Sequence, residues 1–548
     1  MRGLPLDDAS KRSHRPRYAF ALLLLLSLGG AVLFTQQPAF KSRAAARDFM
    51  RLPVTCPAQV DPIAPALAFA PQATETYQVR LQGAICVRTE TFDGASTDGS
   101  DPWYDKFYVF EAYLKETYPQ VFASLDLEHF ATHGLLLTWQ GSDSSLQPII
   151  LMAHQDTVPV PEETVDRWTH PPFEGHVDTD GWIWGRGGGD CKNLLIAELS
   201  AVDELLRAGF APTRTVLLAF GFDEEGGGVR SARYIAAHIE EVYGLDSIFL
   251  IVDEGGGIME DYFGRTWIAP STGEKGSMNV QVTVAVPGGH SSIPPAHTAI
   301  GVLASLTTTL EAAPFPPVLS PKNPFAAFAQ CLALYGSIDD ELRRALASER
   351  TWGEAARIMA GRDKGDWARL STTQAVDIVS GGVKVNALPE EAHVVVNHRV
   401  SADFSLQGIQ DRYVRLLTPE AARFNLSVVS FGEDVPAGAT RYVRLTALSG
   451  AEASPVTPAE GSAWEIFAGT SRHLVGTDAI VAPYLSTGGT DTRSYVNLTR
   501  AIFRFQAVRD ATERVGIHTV DERVHINGHM HAIEWVHALI QNADAFRE

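Results

Sequence analysis

The sequence predicts an α/β fold in which a mainly parallel sheet is interrupted by an inserted ferredoxin-like α+β domain. Three observations predict it. Between about residues 77 and 276, apolar strand-like runs alternate with helical stretches, the pattern of helices layered on a parallel sheet. From about residue 277 the order becomes strand, helix, strand, strand, helix, strand, which is the split βαβ arrangement. Past about residue 435 a further apolar run and a long helical stretch are expected to complete the first sheet.

In the first part, PIILMAHQD, TVLLAFGFDEE and IFLIVDEGGG are short apolar runs without alternation, as strands covered on both faces require. NLLIAELSAVDELLRAGF and ARYIAAHIEEVYG between them repeat apolar residues at helical spacing. In the inserted part, NVQVTVAV reads as a strand and TAIGVLASLTTTLEAA as a helix. TTQAVDIVSGG and EEAHVVVNHRV then form a strand pair, SLQGIQDRYVRLLTPEA a helix and NLSVVSF the closing strand. Residues 314–370, rich in Ala, Arg and Glu, interrupt this unit, and their pattern assigns them no role. The expected boundaries are 76–276 and 435–548 for the two halves of the first domain and 277–434 for the insert.

The chain has 548 residues, 45% hydrophobic and 20% charged, enough for a large core and more than one domain. Its formal net charge of −20, with no clustered basic face, argues against a nucleic-acid partner. At the amino terminus Arg2, Lys11, Arg12, Arg15 and Arg17 precede an uncharged apolar run over residues 18–34. That length suits a short membrane span with its basic flank in the cytoplasm. The expectation is a cytoplasmic tail at 1–17, a signal anchor at 18–34 and a stalk at 35–75, leaving a single-pass protein with its bulk in a lumen. A signal peptide cleaved near Gly29, Gly30 and Ala31 is the competing expectation. Asn425 and Asn497 open glycosylation triplets that fit the same route. In an oxidising lumen Cys56 and Cys86 are expected to pair, Cys331 has no evident partner, and Cys191 reads as a packed free thiol.

The chemistry lies where apolar runs end. His154 and Asp156 are two apart on a strand and point the same way, so one ring nitrogen of His154 can ligate a metal while Asp156 orients the ring. Asp190 follows the glycine-rich WGRGGG; its two oxygens can bridge two cations, and it also suits the cap of the next helix. Glu224 and Glu225 follow a buried strand directly, so one can ligate while its neighbour stays free to accept a proton. Asp253 repeats the arrangement after SIFLIV, with Glu254 as its rival. A last ligand is expected from the carboxy-terminal histidines His518, His525, His529, His531 and His537, among which spacing does not choose.

Together, HQD, GRGGGDCKN, DEEGGG, VDEGGG and GIHTVDE resemble the zinc metallopeptidase superfamily of carboxypeptidase S, aminoacylase and glutamate carboxypeptidase. DCK and GGTDTR resemble the carboxypeptidase S branch most, and the likeness runs from about residue 77 to the end. The resemblance implies a di-zinc peptidase domain with a ferredoxin-like lid. On matching positions it implies two Zn2+, one held by His154 and Asp253, the other by Glu225 and His518, with Asp190 bridging. Asp156 would orient His154, and Glu224 would be the general base. PGGHSS and VNALPEEAHVVVNHR resemble substrate-contacting segments, which gives His290, Asn386 and Arg399 as substrate-binding residues. Gly188 and Gly189 depart from the less flexible pair common in relatives.

The expected activity is a metallocarboxypeptidase acting on small peptides in a vacuolar or secretory lumen. An N-acyl amino acid hydrolase would use the same site. A catalytically silent, membrane-anchored binding protein is the expectation from another class, and the complete ligand set argues against it. The resemblance also implies a homodimer through the lid.

Overall fold

The three apolar runs that end in candidate ligands form adjacent strands: Ile149–His154 lies between Val216–Gly221 and Leu250–Tyr262 and runs parallel to both. The computed structural model describes residues 56–92 and 94–547, so the expected tail, the anchor and the first part of the expected stalk lie outside the described residues. Among the described residues, no helix is long and apolar enough to cross a membrane.

Also among these residues, the three strands belong to a ten-stranded mixed sheet. Its two faces are filled by alternate side chains. Leu151, Leu218 and Val252 pack toward the helices Lys192–Arg207 and Ile526–Ala545. Ile150, Met152, Leu217 and Ile251 pack toward the helix Ala232–Tyr243. Both faces are covered by buried apolar side chains, which explains why these strands show no polar alternation. Each such Leu cut to Ala removes packing worth about 2–5 kcal/mol. The expected α/β class is the observed one.

The inserted unit has its own sheet, in the order Thr373–Gly381, Glu391–Val400, Gly276–Ala285, Tyr442–Ala451 and Ser427–Val429. The helices Ala299–Glu311 and Leu406–Arg423 cover it through Leu303, Leu306, Ile409 and Tyr413. The ferredoxin-like order is present, but its fourth strand is Tyr442–Ala451, antiparallel to Gly276–Ala285. The expected closing strand in NLSVVSF is a three-residue edge strand, Ser427–Val429, parallel to Tyr442–Ala451. The smaller sheet therefore continues past the expected return at residue 435.

Residues 314–370 contain the helices Phe325–Tyr335, Asp340–Leu346, Trp352–Arg362 and Lys364–Leu370. Phe328 packs tilted against Trp267 and edge-on against Tyr484, and the Arg369 guanidinium lies over the Tyr484 ring. The interruption thus packs on the edge of the larger sheet. Its helix Phe325–Tyr335 carries Cys331, which is disulfide-bonded to Cys56 with 4.9 Å between Cα atoms. This overturns the expected Cys56–Cys86 pairing. The fold brings together residues 275 apart, a contact no spacing rule reaches, and leaves Cys86 exposed and Cys191 buried as free thiols.

The described part of the expected stalk is not free either. Gln59 exchanges hydrogen bonds with the Val481 main chain at 3.0 and 2.8 Å. The Ile63 amide donates to the Gly469 carbonyl, and the Leu67 amide to Gln541. An Ala- and Pro-rich segment lacks periodicity because it lies along the body through main-chain bonds, which leave no side-chain pattern.

Candidate metal centre

The candidate ligands gather where the parallel pairing of the three central strands ends, at Gly221, His154 and Val252, and the side chains beyond enter a crevice. His154 closes its strand. Its Nδ1 lies 2.9 Å from the main-chain oxygen of Asp156. A carbonyl only accepts, so in the neutral ring Nδ1 carries the hydrogen and Nε2 is left with its lone pair. That Nε2 is 3.1 Å from Asp190 Oδ1 and 3.3 Å from Glu254 Oε1. The other oxygen of Asp190 is 3.1 Å from His518 Nε2, which is 3.0 Å from Glu225 Oε1. Two groups of donors result, His154, Asp190, Cys191 and Glu254 on one side and Asp190, Glu225 and His518 on the other. Asp190 is common to both.

Asp253 is not in either group. Consecutive strand residues point opposite ways: Glu254 turns toward His154, while Asp253 turns inward, accepting the Glu254 amide at 2.8 Å and lying within electrostatic reach of Glu274 and Arg504. The expected ligand Asp253 is thereby replaced in the cluster by its rival. Cys191 touches the first group through its Sγ, 3.2 Å from the His154 amide. Burial pushes this thiol well above its ordinary range.

Electrostatics reflect crowded anions. Burial, then the neighbouring Glu254 carboxylate, pushes Glu224 well above the usual carboxylate range. Burial and then Asp190 do the same to Glu254. Burial also acts to raise Asp190, but hydrogen bonds from His154 and His518 outweigh it and hold that carboxyl well below its ordinary value. His518 is pushed up to about 10 by hydrogen bonds to Asp190 and Glu225. Imidazole and carboxylate donors that must otherwise borrow protons from each other form a site into which divalent cations fit, and the mixed N/O set suits zinc.

Two buried carboxylates hold this arrangement. Asp156 accepts the Glu224 amide on Oδ1 and the Glu225 amide on Oδ2, each at 3.1 Å, and receives the Thr91 hydroxyl. It therefore fixes the acidic pair as well as His154. Glu522 accepts the amides of Gly187, Gly189 and Asp190 on Oε1 at 2.8–3.1 Å and pairs with Arg186 through Oε2. Sequence reasoning gave Glu522 no role, although it lies four residues after His518 in the quoted GIHTVDE segment.

Beside the cluster opens a cavity of about 630 Å³, lined among others by Glu224, Glu225, Lys275, Arg399, Arg493 and His518. Arg399 stands in register with Ser277 in the smaller sheet. His290 and Asn386 do not line the cavity. They sit together on an exposed ribbon formed by Gly289–His290 and Ala387–Leu388, where the Ser291 amide donates to the Asn386 carbonyl. Lys275 and Arg493 were missed by sequence reasoning. No motif marked Lys275, and GGTDTR served only as a family signature.

Comparison with known proteins agrees with this architecture. The sequence profile of peptidase family M20/M25/M40 matches residues 150–542. The chain is 34% identical to carboxypeptidase S of Saccharomyces cerevisiae, covering 100% of both chains. It is 31% identical to an N-fatty-acyl-amino acid synthase/hydrolase of Homo sapiens, covering 85% of this chain and 88% of that one. Among solved structures, an M20 family metallo-carboxypeptidase from Sulfolobus solfataricus shares the fold with a TM-score of 0.60 at 17% identity, covering 86% and 99% of the two chains. With the profile spanning most of its length and whole-chain identity of this order, the chain belongs to peptidase family M20/M25/M40.

Proposed function

We propose that this protein is a di-zinc carboxypeptidase that hydrolyses the last amide bond of small peptides. The observation that carries the reading is the sharing of Asp190 between two donor groups, with Glu224 outside both. In this reading His154 and Glu254 would hold one ion and Glu225 and His518 the other, with Asp190 available to both. Bound zinc would supply Lewis acidity toward the scissile carbonyl and the attacking water. Glu224 accepts the water's proton and returns it to the leaving nitrogen. Asp156 keeps base and ligand at fixed spacing by holding both backbone amides. Arg399 offers a planar fork to a free C-terminal carboxylate. His290 and Asn386 join when the lid moves, or from a second copy in a lid-mediated homodimer.

Lys275, Arg399, Arg493, Glu274 and Glu452 among the cavity's lining residues support a polar peptide over a long acyl chain, which needs a largely apolar pocket. The second reading, an N-acyl amino acid hydrolase, is favoured by the human relative's name. The apolar run at residues 18–34 supports membrane-anchored delivery to a secretory or vacuolar lumen. The test compares N-blocked dipeptides with N-fatty-acyl amino acids, with and without chelator. Chelator-sensitive cleavage that favours the dipeptides is expected, and favour for the fatty-acyl substrates would move the assignment to the second reading. Glu224→Gln should abolish turnover while zinc stays bound; unchanged turnover would remove Glu224 as the base.

A further inference from the structure

Arg493 has a backbone fixed by its neighbours and a guanidinium that is 44% exposed. It sits on the single turn Asp491–Ser494, whose entry is capped by the Thr490 side chain. Its neighbour Thr492 is buried, bonded to Thr490 at 2.7 Å, to Glu274 at 3.2 Å and to Arg504 at 2.9 Å. Asp491, on the other side, is buried against Gly221 and Gly228. A Cβ on Gly228 would come within 2.2 Å of that carboxylate and 3.2 Å of the Arg493 guanidinium, so glycine there lets the turn close over the acidic loop. Besides its electrostatic interaction with the neighbouring Asp491, the Arg493 side chain makes one ion pair among the described residues, 3.6 Å from Glu224 Oε1, and remains 44% exposed. Five donors in a rigid fork with a single long ion pair are available for a planar anion.

Arg399, also exposed, lines the same cavity from the smaller sheet. The two arginines therefore approach from different domains, Arg493 from the catalytic side and Arg399 from the lid. In a C-terminal peptide the carboxylate carbon is separated from the scissile carbonyl carbon by two atoms, the amide nitrogen and Cα. A group that already touches the general base is within reach of that carboxylate.

We propose that Arg493 is the first receiver of the substrate's free α-carboxylate. It exchanges its contact with Glu224 for the carboxylate, which frees Glu224 to take the water's proton, and Arg399 then closes on the same carboxylate from the lid. Recognition of the free carboxylate and release of the base become one event. This inference rests on the carboxypeptidase reading and deepens it.

The test measures kcat and KM of the metal-loaded enzyme on a blocked dipeptide and on its C-terminal amide, for wild type, Arg493→Gln, Arg493→Lys and Arg399→Gln. Wild type should prefer the acid. In Arg493→Gln the acid-to-amide ratio of kcat/KM should fall roughly 10- to 100-fold, as expected for loss of a charged hydrogen-bonding partner, mainly through KM. Arg493→Lys, which keeps the charge without the fork, should fall between. Acid and amide falling by the same factor would assign Arg493 to Glu224 alone and overturn the inference. A wild-type preference that survives in Arg493→Gln would overturn it as well, leaving the carboxypeptidase reading intact. A wild type with no preference for the acid would overturn both.

Discussion

The Glu522 carboxylate receives the backbone amide of Asp190 at 3.1 Å, together with the amides of Gly187 and Gly189 on the same oxygen. A glycine-rich loop has no side chains with which to hold its shape. Glu522 supplies an external template, and Arg186 balances its charge. The flexible Gly188–Gly189 pair is thus held through the Gly189 amide, and Asp190, common to both donor groups, is held through its own.

Glu522→Gln should therefore weaken metal binding without touching a ligand. The amide keeps one acceptor oxygen but loses the charge that pairs with Arg186. Loss of such an orienting contact costs about 10- to 100-fold in metal affinity, read by competition with a zinc-binding dye. Full metal affinity with only a lowered Tm would mean that Glu522 serves stability and not the ligand.

Asp253 and Glu254 should separate cleanly. Glu254→Gln removes a carboxylate 3.3 Å from His154 Nε2 and should lower zinc content from two toward one per chain with near-complete loss of turnover. Asp253→Asn acts behind the site, where one carboxylate oxygen is buried without a partner, and should retain both ions. Metal analysis of the two purified variants decides it; loss of zinc only in the Asp253 variant would restore the original assignment.

That exchange shows where sequence reading runs out. The candidate donors His154, Glu225 and Glu254 were findable because continuous apolar runs mark buried strands and the acids and histidine close those runs, and Asp190 because it follows the glycine-rich WGRGGG. Choosing Glu254 over Asp253 required knowing where alternation is read from. Leu250–Tyr262 continues as a strand well past both acids, so neither lies on a free strand end. Tyr442–Ala451 was missed for a topological reason: its pairing with Gly276–Ala285 joins segments more than 150 residues apart, and local pattern carries no partner identity. The choice of His518 among five carboxy-terminal histidines came from resemblance. In the structure it reaches Glu225 and Asp190, whereas His529 and His537 are buried in the helix Ile526–Ala545.

The Cys56–Cys331 bond makes a prediction about connectivity. Peptide mapping under non-reducing conditions should yield a cross-linked pair containing residues 56 and 331, with Cys86 and Cys191 alkylated only as free thiols. Cys331→Ser should lower stability by about 2–4 kcal/mol, because the link constrains a long loop in the unfolded chain. It should also expose the segment at residues 56–73 to proteolysis. A recovered 56–86 pair would refute the arrangement.

The lid should weaken in acid through His398. Its ring is buried on the strand Glu391–Val400, with Nδ1 3.0 Å from the Thr373 carbonyl and Nε2 2.8 Å from the Tyr413 hydroxyl. The carbonyl requires Nδ1–H, so Nε2 accepts from Tyr413 and the neutral ring is fully satisfied. Burial, with a smaller push from Arg412, lowers the His398 pKa from 6.5 to about 4. Since the folded value lies below the unfolded one, protons bind the unfolded lid first. Its stability is then full above about pH 6.5 and falls as the pH drops through about 4. The loss approaches about 3 kcal/mol at the acid end. Hydrogen exchange at Val394 and Val396, corrected for intrinsic rates, should show the opening free energy of this sheet falling across that window in wild type and falling less in His398→Gln. Equal falls in both would assign the acid sensitivity to other groups. For an enzyme proposed to work in a secretory or vacuolar lumen, any acid limit set by this group lies at the lid, because His398 sits between the lid sheet and its helix Leu406–Arg423.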